Sequence, residues 1–184
     1  MKEIKLTMLN WLRERKKDNK GFTLVELIIV IAILAILVGL LAPQYMKYVE
    51  KSRKSTDVSN LERLVEAVKI ASADTDYNIP YGTYTIKMET SGTTISVTGT
   101  PSGVTNKITN ALKEYAGYNF TLGTKNTSLK LKSNRWGADS ISGGSGTISA
   151  KIEIGSDSSV TVSYSSTDVT DLSSEKTTTT TTTP

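Results

Sequence analysis

The chain has 184 residues with no cysteine and no histidine. That excludes a disulfide framework, a thiolate metal site and the serine–histidine and cysteine–histidine nucleophile pairs, so no catalytic residue, metal site or cofactor is expected. The net charge of +4 resides in the first 21 residues, where seven basic side chains meet three acidic ones; the rest of the chain is formally neutral and predicts no specific nucleic-acid partner.

The first segment places Arg13, Arg15, Lys16, Lys17 and Lys20 directly before an apolar run, and positive charge beside such a run marks the cytoplasmic side. Met8, Leu9, Trp11 and Leu12 have the pattern of a short amphipathic turn, with a segment discarded on processing as the simpler reading. Lys20-Gly21-Phe22-Thr23-Leu24-Val25-Glu26 follows, and Leu27 to Ala42 carries no charge. Phe22 to Ala42 is long enough to cross a bilayer as a helix. Glu26 is the lone ionised residue within it. A carboxylate at the centre of a span costs about 2.5–3.5 kcal/mol on insertion scales, and less near the interface, so a partner is expected. An α-amino group made by cutting between Gly21 and Phe22 would supply one. A plain anchor is the blander reading. A secretory signal is disfavoured, because the run is long for a signal core and Leu40-Leu41-Ala42-Pro43 is poor for cleavage.

Lys20-Gly21-Phe22-Thr23-Leu24-Val25-Glu26-Leu27 resembles the class III leader junction of type IV pilins and their pseudopilin relatives, without a gap through the apolar run. The resemblance implies that a membrane-embedded aspartic prepilin peptidase cuts after Gly21 and N-methylates Phe22. It implies that Glu26 is the assembly residue, and Pro43 matches the family's helix-breaking proline. It covers about the first third of the chain. The lack of cysteine departs from pilins that close a C-terminal loop with a disulfide and resembles pilins of Gram-positive bacteria; the Ser/Thr-rich domain suits a major pilin.

The fold expected is α+β: a pilin-like long N-terminal α-helix, transmembrane in its first half, packed on an antiparallel β-sheet. The segments are a leader over 1–21, the transmembrane and assembly half of the helix over 22–42, its amphipathic half over 43–75, a globular β domain over 76–170, and a disordered Thr-rich tail over 171–184. Gly39 and Pro43 weaken the helix near the end of the span. Leu61, Leu64, Val65, Val68 and Ala71 or Ser72 form its apolar stripe, while Ser55, Asp57, Ser59 and Asn60 make its middle weaker. Tyr84, Ile86 and Met88, then Ile95 and Val97, alternate as half-buried strands. Val104 to Ala116 reads as a short helix stopped by Gly117. Phe120 with Leu122 and Leu129 with Leu131 are strand candidates. Ile148, Ala150, Ile152 and Ile154 pair with Val160, Val162 and Tyr164 in a hairpin turning over Gly155 to Ser159, with Ser and Thr on an exposed opposite face. The acidic groups at Asp74 and Asp76, Asp139 and Asp157 match no calcium loop and read as solvated turns.

The function expected is a structural subunit of a type IV pilus, assembled through its apolar helix for adhesion, surface motility or biofilm formation. A type II secretion or competence pseudopilin or a minor pilin is the alternative, and a membrane-anchored, non-polymerising binding domain stands behind it. The partners implied are other pilin subunits in a homopolymer, the prepilin peptidase, an inner-membrane platform with its ATPase, and the membrane before assembly. The precursor is expected as a single-pass membrane protein with its leader cytoplasmic, and the mature form as an extracellular pilus.

Overall fold

A computed structural model of the chain describes residues 21–99, 105–137, 146–165 and 167–173. The expected leader turn at Met8 to Leu12, Asp139 and the Thr-rich stretch from Thr177 lie outside the described residues. The chain divides into two compact units, residues 1–47 and 48–184.

Helix α1 spans Leu24–Ala73, 50 residues. Its first unit holds the apolar run, and its residues in the second unit are amphipathic. There Val58, Leu61, Leu64, Val65, Val68 and Ala71 are buried in one core, as the spacing of three and four residues dictates. Asp74 ends the helix by donating its N–H to Ile70 O at 3.0 Å.

Strands β1 (Gly82–Glu89) and β2 (Gly92–Thr98) form an antiparallel hairpin, and β1 also pairs antiparallel with β3 (Thr147–Ile154). Strand β4 (Val160–Tyr164) completes a four-stranded sheet in the order β2-β1-β3-β4. Tyr84, Ile86 and Met88 on β1, Ile95 on β2, and Ile148, Ala150 and Ile152 on β3 are fully buried and join the α1 stripe in the core. The sheet therefore lies on the helix through the faces that alternation assigns. The expected hairpin register is present: Ile152 faces Val162, and Ile154 faces Val160. Between them Gly155 N–H bonds Ser159 O at 2.8 Å.

Helix α2 (Thr105–Ala111) continues into a π-helical turn, Leu112–Ala116, and Gly117 stops it in the left-handed region at φ 78°. Ile108, Leu112 and Ala116 are buried. A further helix, α3 (Thr167–Leu172), follows β4 and was not anticipated; Val169 is fully buried, and Leu172 packs against the core.

Two expectations need correction. Phe120 with Leu122 and Leu129 with Leu131 are not strands: their segments are irregular, meeting the sheet through one isolated bridge, in which Thr93 and Asn126 exchange N–H···O bonds at 2.9 and 2.8 Å, and through single bonds such as Gly123 N–H to Ile95 O at 2.8 Å and Leu131 N–H to Glu89 O at 3.1 Å. Phe120, Leu129 and Leu131 are nonetheless buried, so the alternation that suggested strands reflects side chains filling the core from a loop. The polar face of the sheet is also not uniformly exposed. Thr147 and Ser149 are buried there, with Ser149 N–H donating to Ser165 Oγ at 3.0 Å, while Thr93, opposite Met88 on the core face, is buried with its Oγ1 donating to Leu129 O at 2.8 Å.

Candidate assembly site on the N-terminal helix

The residues singled out by the junction fall on one turn. Gly21, Phe22 and Thr23 precede α1, Thr23 is its N-cap, and Glu26 is its third residue. Glu26 N–H donates to Thr23 Oγ1 at 3.2 Å. In return Glu26 Oε2 accepts the Thr23 N–H at 2.8 Å and the Thr23 hydroxyl at 2.8 Å. Leu27 N–H to Thr23 O, at 3.2 Å, begins the helical ladder. This is a capping box, in which two otherwise orphaned backbone donors are satisfied reciprocally. A carboxylate in the first turn also lies at the positive end of the helix dipole. The signal was in the sequence as Thr23-Leu24-Val25-Glu26, a threonine followed three residues later by glutamate before an apolar run. The partner anticipated for Glu26 was a free amine; the structure adds Thr23 as a partner on the same chain. Glu26 Oε1 accepts no bond among the described residues.

Gly21 is exposed, and a Cβ placed on it would meet nothing within 4 Å. The fold of this chain therefore does not demand glycine there.

The apolar surface of the first unit is uncovered. Phe22 is 83% exposed, and each large side chain from Leu24 to Leu41 is exposed, with Val30 the least at 46%. Among the described residues one helix, α1, is long and apolar enough to cross a membrane, and none of its most apolar window is buried. A contiguous apolar surface of this size exceeds what a soluble monomer leaves in water, so it belongs in lipid or against other chains.

Gly39 and Pro43 do not break the helix: α1 is continuous through both. Pro43 lacks the N–H that would bond the carbonyl four residues back, and its ring presses on that residue. That residue is Gly39, whose permissive backbone can accommodate a displaced carbonyl. The pair removes one hydrogen bond and leaves the helix intact.

In the second unit the sequence concealed a buried carboxylate. Asp57 was read as weakening the middle of the helix. It is fully buried, and it accepts Lys132 N–H at 2.8 Å, Ser133 N–H at 2.9 Å and Trp136 Nε1–H at 3.3 Å. One and two turns earlier, Lys54 Nζ lies 4.8 Å from the Trp136 ring centroid and Glu50 accepts the Ser133 hydroxyl. Glu50, Lys54 and Asp57 thus make a polar stripe that fastens the 130–136 loop to α1. Of the other acidic groups, Asp74 Oδ1 accepts Asp76 N–H at 2.8 Å and Asp157 Oδ1 accepts Ser159 N–H at 3.0 Å, both turn geometries. No cluster of three metal-ligating side chains occurs among the described residues.

Residues 16–42 match the family described as the prokaryotic N-terminal methylation motif. The matched segment holds the basic cluster, Gly21, Phe22, Glu26 and the apolar run. No curated protein and no solved structure matches the chain.

Proposed function

We propose that this type IV pilin-like protein is the structural subunit of a surface filament, cut between Gly21 and Phe22 and joined to its neighbours through the apolar half of α1. The observation that carries the reading is the coincidence of the methylation motif with a helical surface that is apolar and entirely uncovered. The motif and the apolar helix make the chain a membrane-anchored prepilin of the pilin or pseudopilin type.

The mechanism is assembly without chemistry in this chain. The prepilin peptidase supplies the cut, and glycine at position 21 is then a requirement of that enzyme, since nothing in this fold needs it. Cleavage removes the basic leader and creates an α-amine on Phe22, which with a pKa of about 7.7–8.0 is mostly cationic at neutral pH. The capping box presents the Glu26 carboxylate at the head of the helix with Oε1 open. The Phe22 amine of a neighbouring subunit would bond there and fix the axial stagger between helices, the best attested use of a buried charge pair. Lateral burial of the apolar surface supplies the cohesion, at about 25 cal/mol per Å². The platform and ATPase of a pilus machine would drive growth, and the second unit would coat the fibre for adhesion, surface motility or biofilm formation.

The test is Glu26→Ala in the full-length chain. Membrane insertion and cleavage stay near normal, and filament yield collapses. Wild-type filament yield from that variant would remove the assembly role. Abundance of the chain in sheared filaments separates a major pilin from a minor pilin or pseudopilin. Gly21→Val should accumulate the full-length membrane precursor; recovery of normal mature subunits would remove the leader assignment.

A further inference from the structure

The second unit carries opposite charge at the two ends of its stretch of α1. At the start, Lys51 and Arg53 on α1 are exposed, as are Lys132 and Arg135 on the loop that Asp57 fastens beside them. The carboxylates of that end are already committed. Glu50 accepts the Ser133 hydroxyl and lies 4.0 Å from Arg53, and Asp57 is buried under three N–H groups. Lys132 and Arg135 have no ion-pair partner among the described residues.

At the other end, Asp74 and Asp76 follow α1, and Glu114 comes from the π-helical turn. Tyr115 donates its hydroxyl to Asp74 Oδ2 at 2.6 Å, and Tyr77 donates to Glu114. The two rings meet edge-on at 5.7 Å, so the carboxylates are held as a unit. None of the three is ion-paired among the described residues. Lys69, Lys107 and Lys113 are the cations nearest these carboxylates in sequence, and Lys107 Nζ donates to Asn78 O at 3.5 Å. Arg53 and Asp74 are 21 residues apart on one helix and its end, about 32 Å at 1.5 Å per residue.

We infer that the basic end of one copy, built from Arg53, Lys132 and Arg135, docks on the tyrosine-held carboxylates Asp74 and Glu114, with Asp76 beside them, of another copy. The inference rests on the filament reading and adds a contact between the outer units to the one between apolar helices. The complementarity is self-contained, because the chain beyond its leader is formally neutral and this unit carries both an exposed basic group and a carboxylate group without ion pairs among the described residues. Two different patches on one subunit make a head-to-tail contact, which does not close and repeats along a fibre. Each exposed ion pair is weak and screened by salt, so the contact selects the register of neighbouring copies more than it holds them.

The absence of native cysteine makes a direct test simple. Full-length protein carrying both Asp76→Cys and Arg135→Cys is assembled into filaments and treated with a short thiol-specific cross-linker. A ladder of linked subunits is expected, absent from either single variant. Filaments whose doubly substituted subunits stay monomeric overturn the contact alone. A wild-type chain that forms no filament overturns the filament reading and the contact with it. In parallel, the pair Lys132→Glu and Arg135→Glu should make sheared filaments dissociate at lower salt than wild type. Adding Asp76→Lys and Glu114→Lys to that chain should restore wild-type tolerance. Reversed filaments that keep wild-type salt tolerance but no longer bind phosphatidylglycerol vesicles would overturn the contact and assign the basic end to lipid.

Discussion

Glu26 has one observed role and one proposed role, and alanine removes both. Its carboxylate closes the capping box with Thr23, and in the proposed filament it meets the amine of a neighbour. Glutamine at the same position of a capping box serves the first role without the charge. Glu26→Gln should therefore keep the start of α1 yet assemble as poorly as Glu26→Ala; filament yield near wild type in the glutamine variant would show that capping, and not charge, is what assembly needs. Thr23→Ala removes the other half of the box, and a lost N-cap costs about 0.5–2 kcal/mol of helix stability. Titration reports a second group of residues. Burial pushes the Tyr84 phenol up to about 12, and hydrogen bonds to Glu114 and Asp74 push Tyr77 and Tyr115 up to about 12 as well. Each raised value stabilises the fold fully below the unfolded tyrosine pKa near 10 and is lost as pH climbs from there toward about 12. Absorbance at high pH should show three of the eight tyrosines ionising late, together with unfolding; a single step near pH 10 with the fold intact would contradict the three environments. At the acid end, Lys125 and Lys87 lower Glu89 to about 2. Its depressed value stabilises the fold above the unfolded pKa near 4.3 and is lost as pH falls toward 2.

At the scale of elements, the legible parts were those with a regular period. The α1 stripe, the β1 and β2 alternation, and the β3–β4 hairpin all follow from side-chain spacing, because each element buries one face. The 118–136 region was misread because Phe120, Leu129 and Leu131 enter the core without a ladder, and a short apolar alternation cannot distinguish that from a strand. Asp57 was misread because a lone acid on a helix normally faces water; its three donors come from a loop 75 to 79 residues away. The short helix α3 has one fully buried anchor, Val169, too little for a periodic signal. The loop clamp makes a firm prediction. Asp57→Ala orphans buried donors at about 1–3 kcal/mol each. It should lower the melting temperature of the second unit and free the backbone at Lys132 and Arg135 for faster cleavage by trypsin; unchanged melting and unchanged cleavage would mean the clamp contributes nothing. Gly92→Ala should also destabilise the β1–β2 turn, because φ is +146° and the added Cβ would sit 2.5 Å from Asn126 O. An alanine variant with wild-type melting would refute that steric account.

At the scale of the whole molecule, each unit has its own logic. The second unit closes its core internally, with a helix face, a sheet face and a loop tied by Asp57. In the first unit the large apolar side chains from Leu24 to Leu41 are exposed, and the one ionised residue between Phe22 and Ala42, Glu26, sits in the first turn of the helix. The methylation motif spans that same segment. The most direct measurement is intact-mass spectrometry of subunits from sheared filaments, with sequencing of the N-terminal peptide. The account predicts a chain that begins at Phe22 with a methylated amine and keeps all of α1. Subunits that retain Met1, or that begin beyond Pro43 with the apolar run removed, would contradict it.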